Sequence, residues 1–256
     1  MILVLGGTSE SRQLVARLTE LGWPLIVCTA TAYGGDLLKT SGGTAQIITG
    51  RLNEDELAEL MLVHNIKVLI DATHPFAELA TANARKACTR NGVLYLRLER
   101  PSLPLPDHPL VAAVNSYREA ARRAVELARQ TVFITTGTKT LPLFADAVHA
   151  ANLRAVVRIL PDLAGLRLCL DLGIEPRNIV AMQGPFTVDM NKALLTHYHA
   201  DVLLTKESGP NGGSDTKIEA ALAVSIPVVV VKRPPAPAEA VSDLNELINR
   251  INKHIR

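Results

Sequence analysis

The chain has 256 residues, 48% hydrophobic and 20% charged, with a formal net charge of +2, enough for one large or two modest globular domains with a full core. The near-neutral balance lacks the strong basic excess of many nucleic-acid binders, and no apolar run approaches the roughly 18 residues a membrane helix needs. Met1 to Leu5 is too short for a signal peptide, so a cytoplasmic protein with no nucleic-acid or membrane partner is expected, its oligomeric state unspecified.

Short β-branched runs alternate with helical patterns along the first half. Ile2 to Leu5, Leu25 to Thr29, Val68 to Asp71 and Leu94 to Leu98 read as strands of a parallel α/β sheet. Between the first two, Leu14, Val15, Leu18 and Leu21 lie on one helical face, and Gly22 stands where that helix stops. Asn53 with Glu56 predicts a capping box before the helix carrying Leu57, Leu60 and Met61. Pro75 predicts the first turn of the next helix, which ends near Gly92. The proline-rich stretch Arg100 to Pro109 cannot continue a helix or a central strand and marks a boundary. Beyond it, Ser116 with Glu119 opens a helix, and Val132 to Thr135, Ala155 to Leu160, Ile179 to Met182, Val202 to Lys206 and Val228 to Val231 read as strands. A helix around Val241 to Ile251 closes the chain. The expected fold is α/β: two Rossmann-like doubly wound parallel-sheet domains, 1–105 binding a dinucleotide and 106–256 binding substrate, with a cleft between them.

In such sheets ligands sit beyond the carboxyl ends of the strands, and five loops of unusual composition lie there. "GGTSESR" matches the G-x-G-x-x-G fingerprint only at Gly6, since Thr8 and Ser11 occupy the second and third positions. Small polar residues still let the backbone of Gly6, Gly7, Thr8 and Ser9 face a pyrophosphate at a helix N-terminus; a structural turn is the competing reading. The second strand ends at Thr29 with no acid to take a ribose 2′-hydroxyl, which favours NADPH over NADH, with Arg12 as a phosphate partner. Two threonines that merely fit strand geometry explain it as well.

In "DATHPFA", Asp71 ends a strand and His74 follows in the turn. Either can do acid–base work, although Asp71 can also cap the helix. "TTGTKT" offers Lys139 but lacks the P-loop spacing. Lys206, Ser208 and Lys217 flank a glycine turn and suit a carboxylate-bearing substrate, although solvated ion pairs are the default for each lysine alone. Cys28, Cys88 and Cys169 are odd in number and lack C-x-x-C spacing, so buried, reduced thiols are expected. His197 and His199 read as surface residues, and no metal site is expected.

Together, "ILVLGGTSESR", "DATHPFA", "QGPF" with Asn191, "LLTKESGPNGG" with Lys217, and "IPVVVVKRP" resemble the precorrin-6A reductase family of cobalamin biosynthesis, in order and across essentially the whole chain. The resemblance implies reduction of a double bond of precorrin-6A, or of its cobalt form, with a nicotinamide cofactor. It also implies a tetrapyrrole substrate whose acetate and propionate groups need local cations. Lys139, Gln183, Lys206, Ser208, Lys217 and Arg233 are the expected substrate residues; of the cations among them, Lys206, Lys217 and Arg233 sit in shared motifs. Asp71 and His74 are the expected catalytic residues. A short-chain dehydrogenase or sugar-nucleotide epimerase fits less well, because none of Tyr33, Tyr95, Tyr117 and Tyr198 has a lysine four residues later. A non-catalytic nucleotide-sensing module is the other alternative.

Overall fold

The computed structural model describes residues 1–39, 45–99, 104–209, 212–237 and 239–255. The chain forms two units, Met1–Pro101 with Pro235–Arg256, and Ser102–Pro234.

In the first unit β1 (Ile2–Leu5), β2 (Leu25–Thr29), β3 (Gln46–Thr49), β4 (Val68–Asp71) and β5 (Leu94–Leu98) alternate with α1 (Ser9–Glu20), α2 (Ala32–Lys39), α3 (Glu54–Val63) and α4 (Glu78–Asn91). β1, β2 and β4 are buried throughout because helices cover both faces of the sheet, and their sequences are correspondingly apolar on both sides. The capping box expected at Asn53 and Glu56 is formed. Gly92 ends α4 in the left-handed conformation, φ 62°. One boundary differs from expectation: α4 begins at Glu78, three residues after Pro75, because a turn intervenes in which Ala77 N–H donates to the His74 carbonyl at 2.8 Å.

The second unit runs β6 (Val111–Val114), α5 (Tyr117–Leu127), β7 (Thr131–Ile134), a short 3-10 turn, α6 (Leu141–Ala150), β8 (Arg154–Ile159), α7 (Leu163–Asp171), β9 (Ile179–Ala181), α8 (Val188–His197), β10 (Val202–Lys206), α9 (Ser214–Ala223) and β11 (Val228–Val231). The chain then returns to the first unit as β12 (Ala240–Val241) and α10 (Leu244–Ile255).

All strand pairs are parallel, in the orders β12-β5-β4-β1-β2-β3 and β6-β11-β10-β7-β8-β9. Both are the doubly wound order, reversing between β1 and β4 in one unit and between β7 and β10 in the other. In each sheet the strand beyond the fifth reaches its place by a crossing between units, β6 on the way out and β12 on the way back. The expected second domain, 106–256, is corrected accordingly: residues 235–256 belong to the first unit. The reason is apolar, since Val241, Leu247 and Ile251 are fully buried in one core cluster with Ile2, Val4, Leu14 and Ile70.

Candidate functional site

At the switch point of the first unit, the loops after β1 and β4 are tied by Thr8 Oγ1, which donates to the Ala72 carbonyl at 3.1 Å. Thr8 is the N-cap of α1, and its partner is Ser11: Ser11 N–H donates to Thr8 Oγ1, while the amides of Gly7 and Thr8 both donate to Ser11 Oγ, each at 3.0 Å. Gly6 N–H donates to the Cys28 carbonyl at 2.8 Å. The departures from the glycine fingerprint at Thr8 and Ser11 therefore form a capping box. Three of the four amides expected to face a pyrophosphate are turned inward, because buried Ser11 takes two of them and β2 takes the third.

What remains is room and a helix terminus. Gly7 has φ +119°, and a Cβ there would meet nothing within 4 Å. Ser9 begins α1, where backbone donors point outward. Arg12 lies on the same turn, with Nη1 3.5 Å from the Thr8 carbonyl. A small pocket lies alongside, lined by Thr8, Glu10, Ala72, Thr73, Pro75, Leu98 and Glu99.

Thr29 is buried, and its hydroxyl donates to the Thr31 carbonyl at 3.1 Å, so it faces the interior rather than a ligand. The exposed hydroxyl at this strand end belongs to Thr31, which accepts from Gly34 N–H at 3.1 Å. The first turn of α2 contains no acid.

Asp71 is 0% exposed, and both of its oxygens are engaged. Oδ1 pairs with Arg97 Nη1 at 2.6 Å and accepts from Thr73 N–H and Oγ1; Oδ2 accepts from Thr81 Oγ1 at 2.7 Å and Tyr95 Oη at 2.9 Å. Arg97 also reaches Glu99, Nε to Oε2 at 3.2 Å. Burial and the Asp71 charge push the Tyr95 phenol far above its usual range. Expected as catalytic, Asp71 is placed instead at the centre of a closed network that anchors the end of β4. It does not cap α4, whose N-cap is Ala77 without a side-chain bond. His74 stands partly exposed in the turn beyond. Its Nδ1 accepts from Phe76 N–H at 3.3 Å, so the neutral ring carries its hydrogen on Nε2.

The switch point of the second unit is cationic. Lys206 ends β10, Lys139 lies in the 3-10 turn after β7, and Lys217 closes the first turn of α9. Burial, and then the charge of Lys139, pushes the Lys206 ammonium down to about 8. Lys217 falls to about 7 through burial and the charges of Arg158 and Lys206, opposed by Asp215. Its Nζ donates to the Gly212 carbonyl at 2.8 Å. Gly212 must be glycine, since a Cβ there would lie 2.3 Å from the Ser208 side chain. Ser208 Oγ and Thr205 Oγ1 are buried with no hydrogen-bond partner among the described residues. Gln183 is exposed after β9.

Arg233 is engaged by Glu207, Nε to Oε1 at 3.0 Å in a buried pair. A cavity of about 310 Å³ lined in part by the same β10–α9 loop carries Glu207, Asp215 and Glu219 on its wall and so suits carboxylates poorly. One residue not singled out from the sequence joins the cations: Arg158 of β8, buried, Nη1 donating to Asn191 Oδ1 at 2.8 Å and the guanidinium 4.3 Å from the Phe186 ring centre. A charge one residue before the end of a parallel strand was the available signal.

Cys28, Cys88 and Cys169 are unpaired and buried, and burial pushes the first two thiols up to about 12. Among the described residues no three His, Cys, Asp or Glu side chains gather as a metal site, and no helix is long and apolar enough to cross a membrane.

Residues 1–252 match the family model described as "Precorrin-6x reductase CbiJ/CobK". The chain belongs to the precorrin-6x reductase family. Members of this family reduce precorrin-6A in cobalamin biosynthesis, acting as oxidoreductases on a C=C bond with a nicotinamide cofactor. A cobalt-precorrin-6A reductase of Methanothermobacter thermautotrophicus is 39% identical, over 100% of this chain and 84% of its own length. A precorrin-6A reductase of Rhodococcus erythropolis is 34% identical, over 95% and 94%. The solved structure titled "CobK precorrin-6A reductase" superposes with a TM-score of 0.80 at 25% identity, covering 99% of this chain and 96% of that one.

Proposed function

We infer that this chain is an NADPH-dependent reductase of precorrin-6A, metal-free or cobalt-bound, with the dinucleotide on the first unit and the macrocycle on the second. Family membership over nearly the full chain is the observation that carries this reading. The first unit supports a dinucleotide by the open space over Gly7, the N-terminus of α1 at Ser9 and the nearby Arg12 guanidinium. Preference for NADPH rests on the end of β2, which carries no acid, and on the acid-free start of α2, where the helix dipole favours a 2′-phosphate near Thr31.

The cofactor supplies a hydride when bound. The chain's own part is to hold the macrocycle and to keep its carboxylates neutralised, a role for Lys139, Lys206 and Lys217, with Ser208 and Gln183 as polar contacts. Arg233 supports this edge through Glu207 rather than by direct contact. His74, partly exposed in the turn after β4, is the residue we assign to deliver a proton; Asp71 acts only by fixing the strand end from which His74 hangs.

Mixing the protein with precorrin-6A and each reduced nicotinamide in turn tests the reading. The reduced-nicotinamide absorbance is expected to decay with the macrocycle present, faster with NADPH. Binding of both ligands without decay would instead favour a nucleotide-sensing module.

A further inference from the structure

Arg158 is 7% exposed, and among the described residues no carboxylate pairs with it. Buried arginines elsewhere in this molecule are neutralised, Arg97 by Asp71 and Glu99, Arg233 by Glu207. Among the described residues Arg158 meets the neutral Asn191 oxygen and the face of Phe186. Its burial lowers the guanidinium to about 10, and its charge in turn acts on Lys217. An uncompensated buried cation is costly unless an anion completes it.

The fork is held rather than loose. Asn191, itself buried, spends its amide on the Thr187 carbonyl at 2.9 Å, which fixes the oxygen facing Arg158. Two buried hydroxyls without partners among the described residues, Thr205 Oγ1 and Ser208 Oγ, lie at the same sheet edge.

The rim beside Arg158 is apolar and exposed. Leu160 is 50% exposed and Met182 36%, and the Met182 amide donating to the Ile159 carbonyl at 3.0 Å sets the two side by side past the ends of β8 and β9. Leu163, at the start of α7, is 86% exposed. An edge with exposed apolar side chains beside a buried, unpaired arginine matches a flat hydrophobic ring with anionic substituents.

We propose that Arg158, positioned by Asn191 and Phe186, is a specificity-determining residue that takes one peripheral carboxylate of the macrocycle while Leu160 and Met182 support its ring face. This deepens the substrate reading above and rests on it. The probe is a polycarboxylate porphyrin and its full methyl ester, titrated against the full-length protein by absorbance or fluorescence. Wild type is expected to bind the acid more tightly than the ester. Arg158→Met is expected to weaken acid binding by about tenfold or more, the size of one lost charge-assisted hydrogen bond, and to leave ester binding within about twofold. Asn191→Asp keeps the shape of the site and gives Arg158 an internal counter-ion, at the cost of the amide's bond to the Thr187 carbonyl, so it is expected to weaken acid binding similarly while ester binding stays within about twofold. Acid binding unchanged in Asn191→Asp, or acid and ester weakened alike in Arg158→Met, overturns the proposal. If these porphyrin results hold but precorrin-6A is not reduced, the reductase reading fails while the carboxylate site stands.

Discussion

At the scale of single residues, the direction in which a side chain turns decides its role. His74 and Asp71 are three positions apart, yet one is partly exposed in a turn and the other is sealed by Arg97, Thr73, Thr81 and Tyr95. Their substitutions therefore separate. His74→Ala is expected to lower turnover by about 10²-fold, the scale of a lost general acid, with little change in cofactor affinity or melting temperature; wild-type turnover would remove His74 from the mechanism. Asp71→Ala leaves Arg97 buried with only Glu99, and is expected to cost about 3–5 kcal/mol of stability, read by denaturant unfolding.

The two lysines carry a pH signature whose sign differs between binding and stability. Lys217 near 7 and Lys206 near 8 stand below the ordinary 10.5, so the folded state releases protons the unfolded chain still holds. Stability contributed by these groups therefore rises through the window from about pH 6.5 to about pH 8 and on towards the unfolded value of 10.5. Above that window the ionising thiols of the unfolded chain oppose the trend, since Cys28 and Cys88 are raised from 9.0 when folded. Carboxylate affinity moves the other way, falling over the same window as the ammonium charges are lost. Unfolding and porphyrin titrations at the two pH values check both signs, and parallel trends would contradict the assignment.

At the scale of elements, the sequence speaks most clearly where a strand is buried on both faces. β1, β2, β4, β5, β10 and β11 lie where their apolar runs predict, because a central parallel strand has no polar side to blur the pattern. β3, β6 and the two-residue β12 escape such reading: the first two are edge strands, largely half-buried or exposed, and the last is too short to carry a period. The same contrast applies to the site. Its five loops are legible as strand-to-helix turns, but not whether Thr29 faces in, whether Ser11 consumes the loop amides, or that Arg158 stands unpaired; these depend on contacts between residues remote in sequence. The β10–α9 loop shows how tight such contacts are. Gly212→Ala would drive a methyl group into Ser208, 2.3 Å from its Cβ and Oγ. The expected result is about 1–3 kcal/mol of destabilisation together with weakened carboxylate binding, because the Gly212 carbonyl also holds Lys217. Full retention of porphyrin affinity would show that this loop does not shape the anion site.

At the scale of the molecule, the chain leaves the first unit after β5 and returns at β12, so the stability of the first unit depends on the last residues of the sequence. Val241, Leu247 and Ile251 are fully buried in a cluster that also holds side chains of β1, β2, β4 and β5, with α10 and β12 lying against β5. Burying three such side chains is worth about 5–9 kcal/mol at about 1.5–3 each, comparable with the whole stability of a typical domain. Leu247→Ala, which leaves a cavity in that cluster, is expected to cost about 2–5 kcal/mol. The loss should be localised: hydrogen-exchange protection is expected to fall in β1 and β4, far away in sequence, and to persist in β7 and β10, which belong to the other unit. Cofactor binding should weaken on warming before porphyrin binding does, because the dinucleotide edge is built on β1 and β4 and the carboxylate edge on β8 and β10. Loss of protection in β7 and β10 instead would mean that α10 stabilises the second unit. Equal loss in both would mean that the double crossing makes the two sheets unfold as one.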